Sequence, residues 1–233
     1  MTVTDLQRAL DTLDEGVLTV GTHRPDARAF CALEFSAAVR GNPPSDAPGD
    51  LPDLRPLNDA PWSSDRLRTA HLLPVMAAYW DWGTWSLATQ TAVVARVAVL
   101  TVNRLIAALP GLSDAVSAQC RSARTLLEAR AAAVSAASAA EEARMMAAKA
   151  ADWAAADWAR AAARAMEAAA VAVIATSEAT AAGVAMWSAR AAMAAVTVAA
   201  SAAVARAAAR EGDAVLITAC QLWIDAIDHE ETP

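Results

Sequence analysis

Two stretches of the chain place their charges in opposite ways. Wound at the helical repeat, Glu142, Lys149, Asp157, Arg160, Arg164 and Glu167 fall within about an 80° arc, which predicts a helix with one solvated face. Lys149/Asp152, Asp157/Arg160 and Arg164/Glu167 sit three apart with opposite sign, each pair worth about 0.2–0.5 kcal/mol. From 184 to 205 the only charge is Arg190, which predicts a helix enclosed on all sides. Both lie in a tract, 112–210, with no proline, one glycine (Gly183) and nearly half of its residues alanine. Alanine loses no side-chain entropy on entering a helix, so the tract is predicted helical almost throughout. As a single rod it would run about 147 Å at 1.5 Å per residue, so it must fold back or assemble. The capping pattern Ser138-Ala-Ala-Glu141 marks one expected helix start, 176–180 before Gly183 a break, and Glu211-Gly212-Asp213 the clearest break.

Upstream the pattern is more varied. Thr2-Val-Thr-Asp5 resembles a capping box and predicts a first helix to about residue 15, stopped by Gly16. Residues 17–20 read as a short β-like stretch between Gly16 and Gly21, or as a mere extended connection. A second helix is predicted over 27–40, with Gly41 at its end. Residues 42–61 hold six of the ten prolines with several Asp and Asn, which predicts a loop of turns with one helical turn near Leu54. Ser63 is the expected cap of a third helix to about Tyr79, with Pro74 inside it. Tyr79, Trp80, Trp82 and Trp85 surround Gly83 at a corner, and a fourth helix follows over 86–109. A last helix is predicted over 214–229. The expected fold is all-α: a small N-terminal helical module with a proline-rich loop (1–80) on a bundle of long alanine-rich helices (81–233).

Charge and composition then exclude several functions. The net charge is −7, with Lys149 the sole lysine, so no basic face for nucleic acid is expected. Cys31, Cys120 and Cys220 are odd in number and widely spaced, which predicts reduced, buried thiols in a cytoplasmic protein. The first ten residues carry no signal-peptide pattern. Residues 179–205 hold uncharged runs of eleven and fifteen residues, short of the roughly 18 a membrane span needs, so no span is expected.

Candidate chemistry is sparse. Cys31 and Glu34 share a helix face, yet Zn²⁺ needs about four ligands and no H-x-x-x-H or C-x-x-C supplies the rest; His71 and His23 join only through the fold. Asp46, Asp50, Asp53, Asn58 and Asp59 concentrate acid in the proline-rich loop without a calcium-loop spacing, so turn and cap duty is expected. The aromatic corner would either stack a ring-shaped ligand or plug the helix junction; the plug is the expected role. Asp152-Trp153 and Asp157-Trp158 repeat at five residues, turning the two rings to different sides of a helix. No nucleotide, nucleophile-elbow or kinase motif occurs.

Cys31-Ala-Leu-Glu34, Gly41, Ser45-Asp46-x-Pro48, Arg55-Pro-Leu-Asn58-Asp59 and Arg68-Thr-x-x-Leu72-Leu-Pro74 follow in that order. This pattern resembles an uncharacterised family of bacterial and phage-associated proteins, some with Ala/Trp-rich helical tails. The resemblance implies no activity or cofactor. It does imply that Cys31, Glu34, Asp46, Asn58, Asp59 and Arg68 form one constellation, with Arg68 pairing Asp46 or Asp59. The leading functional expectation is a non-enzymatic cytoplasmic interaction or scaffold protein, using helix faces toward a protein partner or itself. The alternatives are an immunity-type protein that neutralises a partner toxin, and an enzyme or metal-binding protein centred on Cys31, Glu34, Asp46 and Asp59.

Overall fold

The computed structural model describes residues 1–13, 16–21, 29–45, 49–109, 112–149 and 209–228. Among these the fold is all-α, without a strand. Asp46, His23, the second half of the charged arc, Trp153, Trp158, the 176–180 break and the sparsely charged 184–205 stretch lie outside the described residues.

Helix α1 (Val3–Leu13) begins with the reciprocal cap its sequence announces. Asp5 N–H donates to Thr2 Oγ1 at 3.1 Å, and Thr2 N–H donates to Asp5 Oδ2 at 3.2 Å. The Thr2 hydroxyl and then the Thr2 amide, both donating to Asp5 Oδ2, hold the Asp5 carboxyl below its ordinary range. Leu6 and Leu10, one turn apart, are its buried residues. After α1, Gly16 adopts φ +79°, and a Cβ there would meet Asp11 Oδ1 at 2.7 Å.

Helix α2 (Ala32–Val39) starts five residues later than the sequence predicts. The cause is local. Cys31 N–H donates to Glu34 Oε2 at 3.0 Å, and Ala32 N–H donates to Asn58 Oδ1 at 3.2 Å. Two amides satisfied from outside the helical ladder define a helix N-terminus, and Cys31 accordingly sits in extended backbone. At the other end Gly41 takes φ +76° and donates to Ala38 O at 3.0 Å, while Asn42 donates to Ala37 O at 3.0 Å.

The proline-rich stretch supplies a single turn, α3 (Arg55–Asn58), with Pro56 in its first positions. Helix α4 (Asp65–Ala78) is capped by Ser64, whose Oγ accepts from Leu67 N–H at 3.2 Å, rather than by Ser63. The Ser63 amide is engaged elsewhere: it donates to Asp213 Oδ1 at 3.0 Å. Pro74 lies inside α4 and removes one amide donor without ending it.

A 3₁₀ turn, Trp82–Thr84, makes the aromatic corner. Helix α5 (Leu87–Leu100) follows, capped by Ser86, and runs on through a π turn (Thr101–Leu105) into a 3₁₀ turn (Ile106–Ala108). The continuous segment Leu87–Ala108 is long and apolar enough to cross a membrane, with a mean hydropathy of 1.6, and half of that window is buried against the rest of the protein. Its arginines reach the last helix: Arg96 Nη1 donates to Ala226 O at 3.0 Å, and Arg104 bonds Asp225.

The alanine-rich tract opens with α6 (Asp114–Ser122) and, after a break at 123–125, α7 (Leu126–Lys149). The sequence pattern predicts no break at that point. Thr125 Oγ1 accepts from Glu128 N–H at 3.2 Å, and Glu128 Oε2 accepts from Thr125 and Arg124 N–H at 3.1 and 2.7 Å. That capping box starts α7, and the two amides hold the Glu128 carboxyl below its ordinary range. Ser138, the expected start, lies inside α7. Helix α8 (Ala209–Asp228) runs straight through Gly212, so the expected break there is also absent.

At the centre α8 packs against both α4 and α5. α1, α2 and α3 lie against α4, while α6 and α7 pack together beside α5. One buried apolar cluster runs from Leu6 through Leu72, Met76, Val97 and Ala136 to Trp223 and Ala226.

Candidate functional site

Asn58 is the hub of the N-terminal region. It is 1% exposed, and every end of its amide is engaged. Oδ1 accepts from Ala32 N–H; Nδ2 donates to Thr19 O at 2.9 Å and to Asp59 Oδ1 at 2.8 Å. Asp59 Oδ1 also accepts from Gly21 N–H at 2.9 Å. One side chain therefore ties the start of α2, the end of α3 and the extended 17–20 connection. That connection is pinned by further bonds. Thr19 N–H donates to Phe30 O at 2.9 Å, and Leu18 N–H donates to Thr69 Oγ1 at 2.7 Å. Arg68 Nη1 donates to Leu18 O at 3.3 Å.

The charged members behave as ties, too. Arg68 is 3% exposed and pairs with Asp65, one turn back on α4, rather than with Asp59. Its Nε is buried without a hydrogen-bond partner among the described residues. Asp53, also buried, accepts from Arg55 Nε at 2.8 Å and Nη2 at 2.6 Å, a bidentate pair that closes the turn into α3. Glu34, 2% exposed, holds the start of α2. Burial pushes the Cys31 thiol up to about 12, far from a thiolate. The Cys220 thiol is likewise pushed up to about 12 by burial, and Cys120 is raised. Among the described residues no three His, Cys, Asp or Glu side chains come together as a metal would require.

The aromatic corner closes on the last helix. Tyr79 meets Trp82, Trp85 and Trp223 at ring-centroid distances of 5.6, 5.6 and 5.5 Å, with the Trp82 and Trp223 contacts edge-on. Tyr79 Oη donates to Trp223 O at 2.6 Å. Trp223 is fully enclosed, and its indole N–H has no partner among the described residues. The rings fill the junction of α4, α5 and α8. Trp62 stacks on His71 at 6.0 Å and donates its N–H to Leu57 O at 2.8 Å.

One cavity of about 150 Å³ lies between α2 and the proline-rich loop, over Leu33 and Leu51. Asn42, Ser45 and Asp50 are on its polar side. Beside it Arg40 stacks on the Trp80 ring at 4.1 Å, bonds the Trp80 carbonyl, and stands 3.7 Å from Asp50 Oδ2.

Of the six residues the motif groups, Asn58, Asp59, Cys31 and Glu34 meet through the start of α2, and Arg68 joins them through Leu18. Asp46 lies outside the described residues. Sequence patterns do not point to Thr69, Asp213 or Trp223 as ties, since their partners are 51, 150 and 144 residues away. No local pattern signals such contacts; only the long apolar run of α8 marks Trp223 as a core residue. No protein-family model, curated protein or solved structure matches the chain, so the motif pattern stands on its own residues.

Proposed function

We propose that the protein is a non-enzymatic, cytoplasmic interaction or scaffold protein that presents helix faces to a protein partner or to a second copy of itself, without spanning a membrane. The observation that carries this reading is the inverted face of α7. Among the described residues its fully buried positions are alanines (Ala129, Ala132, Ala133, Ala136 and Ala140), with Leu126 partly buried against the core at its start, while Leu127 is 74% and Val134 51% exposed. Seven residues apart, these two side chains share a helix face. A helix ordinarily buries its larger apolar groups, so turning them outward over an alanine seam suits a contact surface. The reading extends to the bundle proposed for 81–233, much of which lies outside the described residues.

The use of the motif residues supports the same reading. Cys31, Glu34, Asn58, Asp59 and Arg68 are engaged with backbone or with neighbouring side chains, which favours architecture over catalysis. An enzyme or metal site near Cys31, Glu34, Asp46 and Asp59 draws less support. Elemental analysis of purified protein tests it, and one metal per chain would raise it above the scaffold role.

Light scattering on a sizing column is the test of self-association. An oligomer at high micromolar concentration that Leu127→Glu with Val134→Glu dissolves, at unchanged helicity, is the expected result. A monomer leaves a separate partner, including a toxin held by an immunity-type protein. Capture of one partner by the native chain, lost in the double variant, is then expected. Association insensitive to both substitutions would refute the assignment of α7.

A further inference from the structure

The outward face of α7 carries a longer stripe than Leu127 and Val134 alone. Met145 is 48% exposed and stands five turns beyond Leu127, about 27 Å along the helix. At about 100° per residue, Leu127, Val134 and Met145 fall within about 20° of one line. Ala131, Ser138 and Glu141, all exposed, fill the four- and three-residue steps between them. That spacing is the seam of a two-stranded coiled coil.

The charges beside this stripe are polarised along the helix. Arg130 and Glu141 lie on one edge, about 60° and 40° from the line, and Glu142 lies about 60° to the other side. Arg130 is exposed and pairs with no carboxylate among the described residues. Its own helix offers none: the positions three and four away are Leu126, Leu127, Ala133 and Val134. Positive charge thus sits in the first half of the face and negative charge in the second. A parallel copy of α7 would bring Glu141 beside Glu142, whereas an antiparallel copy sets each half against its opposite.

We propose that α7 pairs antiparallel with the α7 of a second copy of this chain, about a two-fold axis level with Ala136. The proposal rests on the reading of α7 as a contact face and names the partner of that face. In this register Leu127 packs on Met145 of the other copy, and Val134 lies beside Ser138. A two-fold of this kind brings one edge of the stripe against itself, so Arg130 meets Glu141 twice per dimer. The small Ala131 at the same level leaves that carboxylate room to reach the guanidinium. On the other edge Glu142 comes opposite Ala131, and Glu128 beyond it is turned back onto the Thr125 and Arg124 amides.

Charge exchange in the full chain, read by light scattering, tests the register. Arg130→Glu and Glu141→Arg each place two like-charged pairs in a homodimer, so each is expected to dimerise about tenfold more weakly than wild type. An equimolar mixture of the two is expected to recover the wild-type affinity, because every pair across the mixed dimer is again opposite in sign. Cross-linking reads the same register without touching a charge. The native cysteines are buried, and the two copies of position 127 in one dimer lie about 27 Å apart. Leu127→Cys and Met145→Cys chains, mixed and oxidised, are therefore expected to join at least about fivefold faster than either chain alone. A wild-type chain that stays monomeric at high micromolar concentration would overturn the pairing and leave the face to a different protein. A dimer that Leu127→Glu with Val134→Glu dissolves, but whose charge variants do not rescue each other, would overturn the antiparallel register while the contact face stands.

Discussion

The region around Asn58 and the seam beneath α7 are held by different means. Around Asn58 the chain is irregular, and its buried amides and carbonyls need partners that helices do not supply. A few polar side chains meet that need, each serving several segments at once. Beneath α7 the backbone satisfies itself, and five buried alanines let the helix sit close to its neighbours. Specificity is concentrated in single residues in the first region and spread over many small contacts in the second. Removal of a side chain should therefore damage the first, and enlargement should damage the second.

The junction both regions lean on should be the most sensitive point. Trp223→Ala removes the largest enclosed side chain and is expected to cost about 3–5 kcal/mol in urea unfolding. A loss below about 1 kcal/mol would mean that α8 is not central to the core. Asn58→Ala should follow, at about 2–3 kcal/mol, because it strands the Ala32 amide and the Thr19 carbonyl. Asn58→Asp should not rescue it, since the carboxylate cannot donate to Thr19 and repels Asp59.

Beneath α7 the sign of the size change should reverse. Ala133→Leu is expected to lose about 1–3 kcal/mol through overpacking, while Ala131→Leu, on the exposed side of the same helix, should stay within about 0.5 kcal/mol of wild type. Equal effects at both positions would show that the seam is not tight. The smallest effect at neutral pH should come from the thiols. The Cys31 and Cys220 thiols are pushed from an ordinary 9.0 up to about 12, so the unfolded chain releases those protons first. Their contribution is whole below pH 9 and falls as pH rises from 9 to 12. Urea midpoints measured at about pH 8 and about pH 10.5 should fall less in a Cys220→Ala variant than in wild type. Disulfide reagents at about pH 8 should label both thiols only upon unfolding.

The N-terminal elements were readable because their signals are local. Thr2 and Asp5 bond each other, Gly41 ends α2, and the turn near Leu54 forms where proline and asparagine cluster. The alanine tract misled for the opposite reason. Thr125-x-x-Glu128 and Ser138-x-x-Glu141 carry the same capping pattern, yet only the first is used. The difference lies in Asn103 on the π turn of α5, which donates to the Arg121 and Ala123 carbonyls at 3.1 and 2.8 Å and so accepts the end of α6. At Ser138 the backbone instead continues its helical ladder. Gly212 likewise stays helical where Asp213, the expected cap of a new helix, instead receives the Ser63 amide. The motif residues 31–68 were legible as a group, but their role as ties became visible only with the backbone atoms they bind.

The bond from Tyr79 to the Trp223 carbonyl joins positions 144 residues apart, and it orders events during synthesis. A nascent chain that has completed α1 through α7 still lacks the ring that covers Tyr79 and the backbone that receives Arg96. Its centre lacks those partners until α8 has left the ribosome. During synthesis the core is therefore expected to close only after α8 emerges.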